Sequence, residues 1–141
     1  MYNKMRQYQR AEAITASKLA QVAILLEHSA GLLRRAKVAI ENQDYEQRYI
    51  CTDRVMVILS SIQASLAIDT SAEAVELHSF FNNMIALLLD VNLKQDAALC
   101  EKIESALYEM ASIWRLADSH GTSEEKAKIP TSSGNSLSLN A

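Results

Sequence analysis

The chain has 141 residues, a length typical of one domain. It contains only 3 Gly and 1 Pro, and hydrophobic residues make up 49% of it while aromatic residues make up 6%. This composition argues against sandwiches, barrels and Gly-rich nucleotide-binding loops, and aliphatic side chains must fill the core. A net charge of −3 does not indicate a nucleic-acid-binding protein, and 2 Cys are too few for a secreted disulfide scaffold of this length.

No segment has the pattern of a signal peptide or of a membrane span. The first residues, Met1 to Arg6, lack an apolar core, and charged residues interrupt every long apolar stretch well before the ~20 residues that a span requires. We therefore expect a soluble, cytoplasmic helical protein without membrane insertion.

Helix-breaking residues divide the chain into three parts. The first 118 residues contain one glycine, Gly31, and no proline, which helices tolerate and hairpins do not. From Ser119 the chain is rich in Ser, Thr and Gly, and such a segment buries too little apolar area to offset its ordering entropy. We predict an N-terminal segment at 1–16, a helical domain at 17–118 and a disordered tail at 119–141.

N-cap residues predict where four helices begin. The first helix follows the hydroxyl groups of Thr15-Ala-Ser17 and runs to about Asn42, and the second begins after Asp44, with Gln47 three residues on as in a capping box. A second capping box at Thr70-Ser-Ala-Glu73 opens the third helix. Asp96 caps the fourth helix, after a short turn at 92–95.

Each predicted helix carries an apolar stripe at helical spacing. The stripes comprise Leu19, Leu26, Leu33 and Ile40 in the first helix; Cys51, Val55, Ile58, Ile62 and Leu66 in the second; Leu77, Phe81, Met84, Leu88 and Val91 in the third; and Leu99, Ile103, Leu107, Met110 and Trp114 in the fourth. Because the loops are short, consecutive helices should be antiparallel neighbours. The predicted fold is all-α, an antiparallel up-and-down four-helix bundle with a flexible N-terminal segment and a disordered C-terminal tail.

The residues that could act in catalysis or metal binding are not spaced as those functions require. The histidines, His28, His78 and His120, form no Glu-x-x-His pair of the kind that holds metals in bundles. Cys51 and Cys100 have no CxxC partner, so we expect buried, inert thiols. The sequence therefore predicts no catalytic residue, no cofactor, no metal and no enzyme. A cofactor-binding bundle enzyme is disfavoured, and an absorption spectrum with metal analysis would test it.

The first and third helices carry more apolar residues than one buried stripe needs. In the third helix Phe80, Ile85, Leu87 and Leu89 widen the stripe, whereas a bundle helix buries a face roughly 100° wide. The surplus belongs either to a well-buried central helix or to a surface covered by the N-terminal segment, a second chain or an amphipathic ligand. One alternative is therefore a generic self-associating helical adaptor, which the mass in solution at low and high concentration would reveal.

Several short motifs occur in an order that resembles a known family. They are Tyr8 before Thr15-Ala-Ser17, Leu33 to Ile40 before Asp44-Tyr45, Ser65-Leu66, Asn92-Leu93-x-x-Asp96, and Trp114. Together they resemble the flagellar export chaperone FliS, the flagellin-specific chaperone family, from about Tyr8 to Ala117. Lys18 stands where that family usually has proline, and Leu26-Glu27-His28 and Phe81 to Met84 replace tyrosine-containing segments while keeping apolar bulk.

The resemblance implies a cytoplasmic chaperone that binds the C-terminal amphipathic region of flagellin, prevents its premature polymerisation and assists its export through the flagellar type III secretion apparatus. It implies contact with the flagellar export gate as well. We expect a monomer or a weak homodimer without nucleic-acid partners. The N-terminal segment is expected to fold over part of an apolar groove. The expected flagellin-binding residues are Tyr8, Ile14, Leu26, Leu33, Phe81, Met84 and Leu88.

Overall fold

The computed structural model describes residues 17–66 and 71–120. These residues form four helices, α1 (Lys18–Glu41), α2 (Tyr45–Ser65), α3 (Ala72–Lys94) and α4 (Ala97–His120), with no strand among them. None of these four helices is long and apolar enough to cross a membrane. The predicted all-α four-helix fold is confirmed. The predicted N-terminal segment at 1–16 and the tail from residue 121 lie outside the described residues.

Side-chain oxygens cap the helices as the sequence predicts. Ser17 Oγ, Asp44 Oδ1 and Asp96 Oδ1 each accept a hydrogen bond from the backbone N–H three residues further on, at 3.2, 3.1 and 3.0 Å. Each bond satisfies one of the N–H groups that have no partner within the first turn of a helix. The predicted starts of α1, α2 and α4 are therefore confirmed.

Three local expectations need correction. The N-cap of α3 is Ser71, whose Oγ accepts from Ala74 N at 3.2 Å, whereas Thr70 lies outside the described residues. Gln47 does not close a capping box, because the Asp44 N–H donates to the Ala39 carbonyl at 2.8 Å. Helix α4 runs to His120, so the boundary predicted before residue 119 is two residues too early.

Contacts between side chains show that neighbouring helices are antiparallel. Lys37, near the end of α1, pairs with Glu101 near the start of α4 at 3.3 Å, and Glu27, closer to the start of α1, pairs with Arg115 near the end of α4 at 2.6 Å. Likewise, Thr52 in the first half of α2 contacts α3 near its end. Helix α1 is the central helix of the bundle, since it packs most extensively along α4 and then along α2.

One apolar core runs through the bundle, and the predicted stripes supply most of it. Trp114 and Leu107 on α4 are 1% and 0% exposed, as the spacing of seven residues between them predicts. Ile40, Ile58 and Leu99 are half-buried at the edge of the core. The stripes identified from sequence are thus the packing surfaces of the bundle.

Candidate protein-binding face

The structure places the described members of the predicted site in the core. Leu26 and Leu33 on α1 and Phe81, Met84 and Leu88 on α3 are all 0% exposed. These five side chains belong to the core cluster and are not exposed to a ligand in this structure. Their contact with a bound segment stays a prediction.

The physical reason lies in the spacing that selected these five residues. Positions three, four and seven apart lie on one side of a helix, and the widest such stripe is the one that the bundle buries. An exposed binding surface has to come from apolar residues outside that stripe. The other two predicted members, Tyr8 and Ile14, lie outside the described residues.

Exposed apolar side chains are somewhat more numerous on α2 and α3 than on α1 and α4. Among residues 17–66 and 71–119, whose burial is described, ten large hydrophobic side chains are exposed, and six of these ten belong to this helix pair. We call these six the α2–α3 face: Tyr45, Tyr49, Val57, Val75, Leu89 and Leu93. Leu93 is the most exposed at 81%, and Leu89 is 51% exposed. Because the core is already complete without them, these side chains are available for contact with another molecule.

Tyr49 and Leu89 of the α2–α3 face lie on rows of residues that are spaced by seven along their helices. On α2 one row contains every seventh residue from Tyr49 to Gln63. On α3 a second row contains Asn82 and Leu89, which are also seven residues apart. The rows meet where Gln63 Nε2 donates to Asn82 Oδ1 at 2.8 Å. The same nitrogen donates to the carbonyl of His78 at 3.2 Å. The two helices therefore present their rows side by side.

Polar bonds fix the other end of the face, at the C-terminus of α3. Thr52, which is fully buried, donates from Oγ1 to Asn92 Oδ1 at 2.9 Å. Arg48 Nη1 donates to the Asn92 carbonyl at 3.0 Å. This guanidinium satisfies a carbonyl at the end of the helix and places a positive charge at the negative end of its dipole. The bonds hold α2 against α3 on both sides of Met56 and Ile85, which are half-buried and pack against the core.

The histidines and cysteines form no cluster in the described part of the chain. His28 is exposed and His78 is half-buried, and the described residues contain no group of three His, Cys, Asp or Glu side chains that could hold a metal ion. Cys51 and Cys100 are buried and unpaired, as predicted. Burial raises the pKa of the Cys100 thiol to about 11, with a smaller contribution from Asp96 in the same direction, so the thiol stays protonated near neutral pH.

The described residues define a helical bundle with a complete core and exposed apolar side chains on two adjacent helices. The sequence profile of the family described as "Flagellar protein FliS" matches residues 1–121. The chain therefore belongs to the FliS family of flagellar proteins, and the resemblance found in its motifs is confirmed.

The similarity to one curated relative agrees with this family assignment. The chain is similar to the "Flagellar secretion chaperone FliSB" of Pseudomonas aeruginosa, with 24% identity over 115 residues. The match covers 78% of this chain and 91% of the relative, so it extends over most of both proteins rather than over a single motif.

Proposed function

We propose that this protein is a flagellar export chaperone that binds the C-terminal amphipathic region of flagellin in the cytoplasm. It keeps that region from polymerising prematurely and assists its export through the flagellar type III secretion apparatus, where it also contacts the export gate. The observation that carries the proposal is the α2–α3 face, on which six large hydrophobic side chains are exposed beside a complete core. Membership of the FliS family and the relative named as a flagellar secretion chaperone support it.

The geometry of the face suits an amphipathic helix as ligand. Such a helix presents its anchors at spacings of three, four and seven residues, and the rows on α2 and α3 have the same spacing. Met56 and Ile85 are half-buried and pack against the core, while Tyr49 and Leu89 on the same two helices are exposed. A flagellin helix seated there buries the apolar surface through which it would otherwise associate with other flagellin molecules.

The role requires reversible binding and no catalysis. A segment that becomes ordered on binding loses conformational entropy, which lowers the affinity obtained from a given contact area. The moderate affinity that results lets the cargo leave when export begins. A chaperone of this kind needs neither a cofactor nor a metal.

The experiment compares two exposed leucines on different faces. Leu89→Asp places a charge within the α2–α3 face, whereas Leu116→Asp places the same charge on α4, where Leu116 is 59% exposed. Each variant is co-expressed with the host flagellin and isolated by pull-down, and each purified variant is titrated with the flagellin C-terminal segment by calorimetry. Circular dichroism checks that both variants fold.

We expect Leu89→Asp to weaken binding about tenfold or more, because desolvating a carboxylate at an apolar contact is unfavourable. We expect Leu116→Asp to bind like the parent. If both variants bind like the parent, or if only Leu116→Asp loses binding, flagellin does not use the α2–α3 face. If the parent binds no flagellin segment, the proposed function itself fails.

A further inference from the structure

Polar contacts join the four helices as two pairs. Three ion pairs link α1 to α4: Lys37–Glu101, Arg34–Glu104 and Glu27–Arg115. Among the described residues, every side-chain hydrogen bond between α3 and another helix goes to α2, through His78, Asn82 and Asn92. In this part of the chain, therefore, α3 and α4 are held together by apolar packing without an ion pair or a hydrogen bond between the two helices.

The surface of α3 on the side away from α2 is apolar. His78 and Asn82 contact α2. Phe80 and Leu87, which are seven residues apart, lie roughly on the opposite side of the helix. That side faces α4, the other neighbour of α3 in the bundle. Phe80 is buried, and Leu87 is half-buried and packs against the core.

The matching side of α4 is apolar as well. Glu104 contacts α1, and Ala106 lies roughly opposite it around the helix. Leu99 and Ile113, seven residues before and after Ala106, are half-buried and pack against the core. We call these apolar residues of the two helices the α3–α4 seam: Phe80, Leu87, Leu99, Ala106 and Ile113.

Helices α1 and α4 are held more firmly than the two helices of the seam. Ala30 lies seven residues before Lys37, and Ala111 lies seven residues after Glu104, so both alanines face the other helix of this pair. Small side chains let helix axes approach closely. Of the four neighbouring pairs, α1 and α4 pack most extensively, and α3 and α4 pack least. Separating α3 from α4 breaks no ion pair and removes side chains that are already partly in water, so it costs less free energy.

The C-terminal end of α3 is anchored next to α4. The Asn92 carbonyl accepts hydrogen bonds from Arg48 Nη1 on α2 and from Gln95 Nε2 in the turn before α4, both at 3.0 Å. Only Gln95 and Asp96 separate the two helices in the chain. Towards the start of α3, Gln63 holds this helix against α2. The N-terminal half of α3 is therefore the part that can leave α4, with the turn as the pivot.

We propose that the bundle opens at the α3–α4 seam. The N-terminal half of α3 moves away from α4 and keeps its contacts with α2, while α1 and α4 stay paired. This motion brings buried side chains beside the seam, such as Met84 on α3 and Met110 on α4, into contact with water or with an incoming apolar helix. The opening requires less free energy than unfolding of the whole bundle. The inference goes beyond the proposed function and does not depend on it, because it concerns the chain without cargo.

Cysteine labelling of the free, full-length chain tests the proposal. Two substitutions on α4 form a matched pair, because Ala106→Cys lies at the seam, Ala111→Cys faces α1, and the parent alanines are 3% and 1% exposed. Each variant is treated with a thiol reagent under native conditions. Mass spectrometry follows each cysteine separately, so that Cys51 and Cys100 stay in place. The rate for the same variant unfolded in urea converts each native rate into a free energy of opening.

We expect Ala106→Cys to be labelled about tenfold or more faster than Ala111→Cys. Its labelling should respond weakly to low concentrations of urea, because opening at the seam exposes little surface. Ala111→Cys should be labelled only through unfolding of the whole bundle and should show the full urea dependence. Circular dichroism checks that both variants fold, and urea denaturation measures their free energies of unfolding.

A second pair keeps the test decisive if Ala106→Cys folds poorly. Met84→Cys lies on α3 between Phe80 and Leu87, whereas Ala30→Cys lies on α1 and faces α4. Both parent side chains are 0% exposed. The free energy of opening should lie below the free energy of unfolding for Met84→Cys and should equal it for Ala30→Cys.

The proposal is overturned if the seam variants are labelled only through unfolding of the whole bundle, with the full urea dependence. It is also overturned if Ala111→Cys or Ala30→Cys opens more readily than its partner at the seam, since the bundle would then open between α1 and α4. Faster labelling at the seam with a weak urea dependence supports it.

Discussion

Adjacent leucines on α3 separate the core of the bundle from the exposed α2–α3 face. Leu88 is 0% exposed, whereas Leu89, one residue further on and about 100° around the helix, is 51% exposed. Leu88→Ala removes buried methyl groups and leaves a cavity, so we expect it to lower the free energy of unfolding by about 2–5 kcal/mol. Leu89→Ala removes contacts that are already half in water, and we expect a loss below about 1 kcal/mol.

Urea denaturation measures both losses. Trp114 is the only tryptophan in the sequence, and it is 1% exposed, with its indole N–H donating to Met110 Sδ at 3.2 Å. Its fluorescence therefore reports loss of the core, and circular dichroism of the same samples reports loss of helix. In thermal melts Leu88→Ala should shift the midpoint down by about 4–8 °C for each kcal/mol. If Leu89→Ala is as destabilising as Leu88→Ala, or if Leu88→Ala costs less than about 0.5 kcal/mol, the assignment of these residues to core and face is wrong.

Leu107→Ala should destabilise the bundle by about 2–5 kcal/mol in the same assay, because Leu107 is 0% exposed at the centre of α4, and a loss below about 0.5 kcal/mol would contradict this. Gly31→Ala should raise stability by about 0.5–1 kcal/mol, since its Cβ meets nothing within 4 Å, and unchanged or lower stability would contradict the described packing. Gln43→Gly should raise stability by a similar ~0.5–1 kcal/mol, because Gln43 has φ 59°, a conformation that glycine adopts without strain; Gln43→Ala serves as the control that keeps the strain. The raised pKa of Cys100 means that the folded chain holds its proton after the unfolded thiol has begun to ionise near pH 9.0, so the stability that Cys100 contributes should fall from about pH 9 towards pH 11. Urea titrations across this pH range should show that the free energy of unfolding falls less in Cys100→Ala than in the parent. An equal fall in both proteins would contradict burial of the thiol.

The fold could be predicted from sequence because local and periodic signals agree. Ser17, Asp44 and Asp96 are N-caps in the structure as in the prediction, and each stands directly before an apolar stripe. The predicted capping box at Asp44 was wrong, because the Asp44 N–H already donates to the Ala39 carbonyl of the preceding turn. That partner comes from the end of the previous helix, which a rule for one helix start does not consider.

The α2–α3 face could be predicted only in part. The sequence showed that α3 has more apolar residues than one stripe needs, and Leu89 was among them. The spacing put Phe81, Met84 and Leu88 on the stripe and Leu89 beside it, but it did not show how far Leu89 and Leu93 are exposed. That exposure depends on how α2 packs against α3, and the contacts that set this packing, such as Gln63 with Asn82, join residues of different helices.

Site-specific photo-crosslinking determines whether flagellin lies on the α2–α3 face, as proposed. A photoreactive side chain replaces Leu93, which is 81% exposed on α3, or Leu116, which is 59% exposed on α4, and each variant is irradiated with the flagellin C-terminal segment. If flagellin lies on the α2–α3 face, position 93 should give a covalent adduct with flagellin and position 116 should give none. An adduct from position 116 alone would place flagellin on the opposite pair of helices and overturn the proposal.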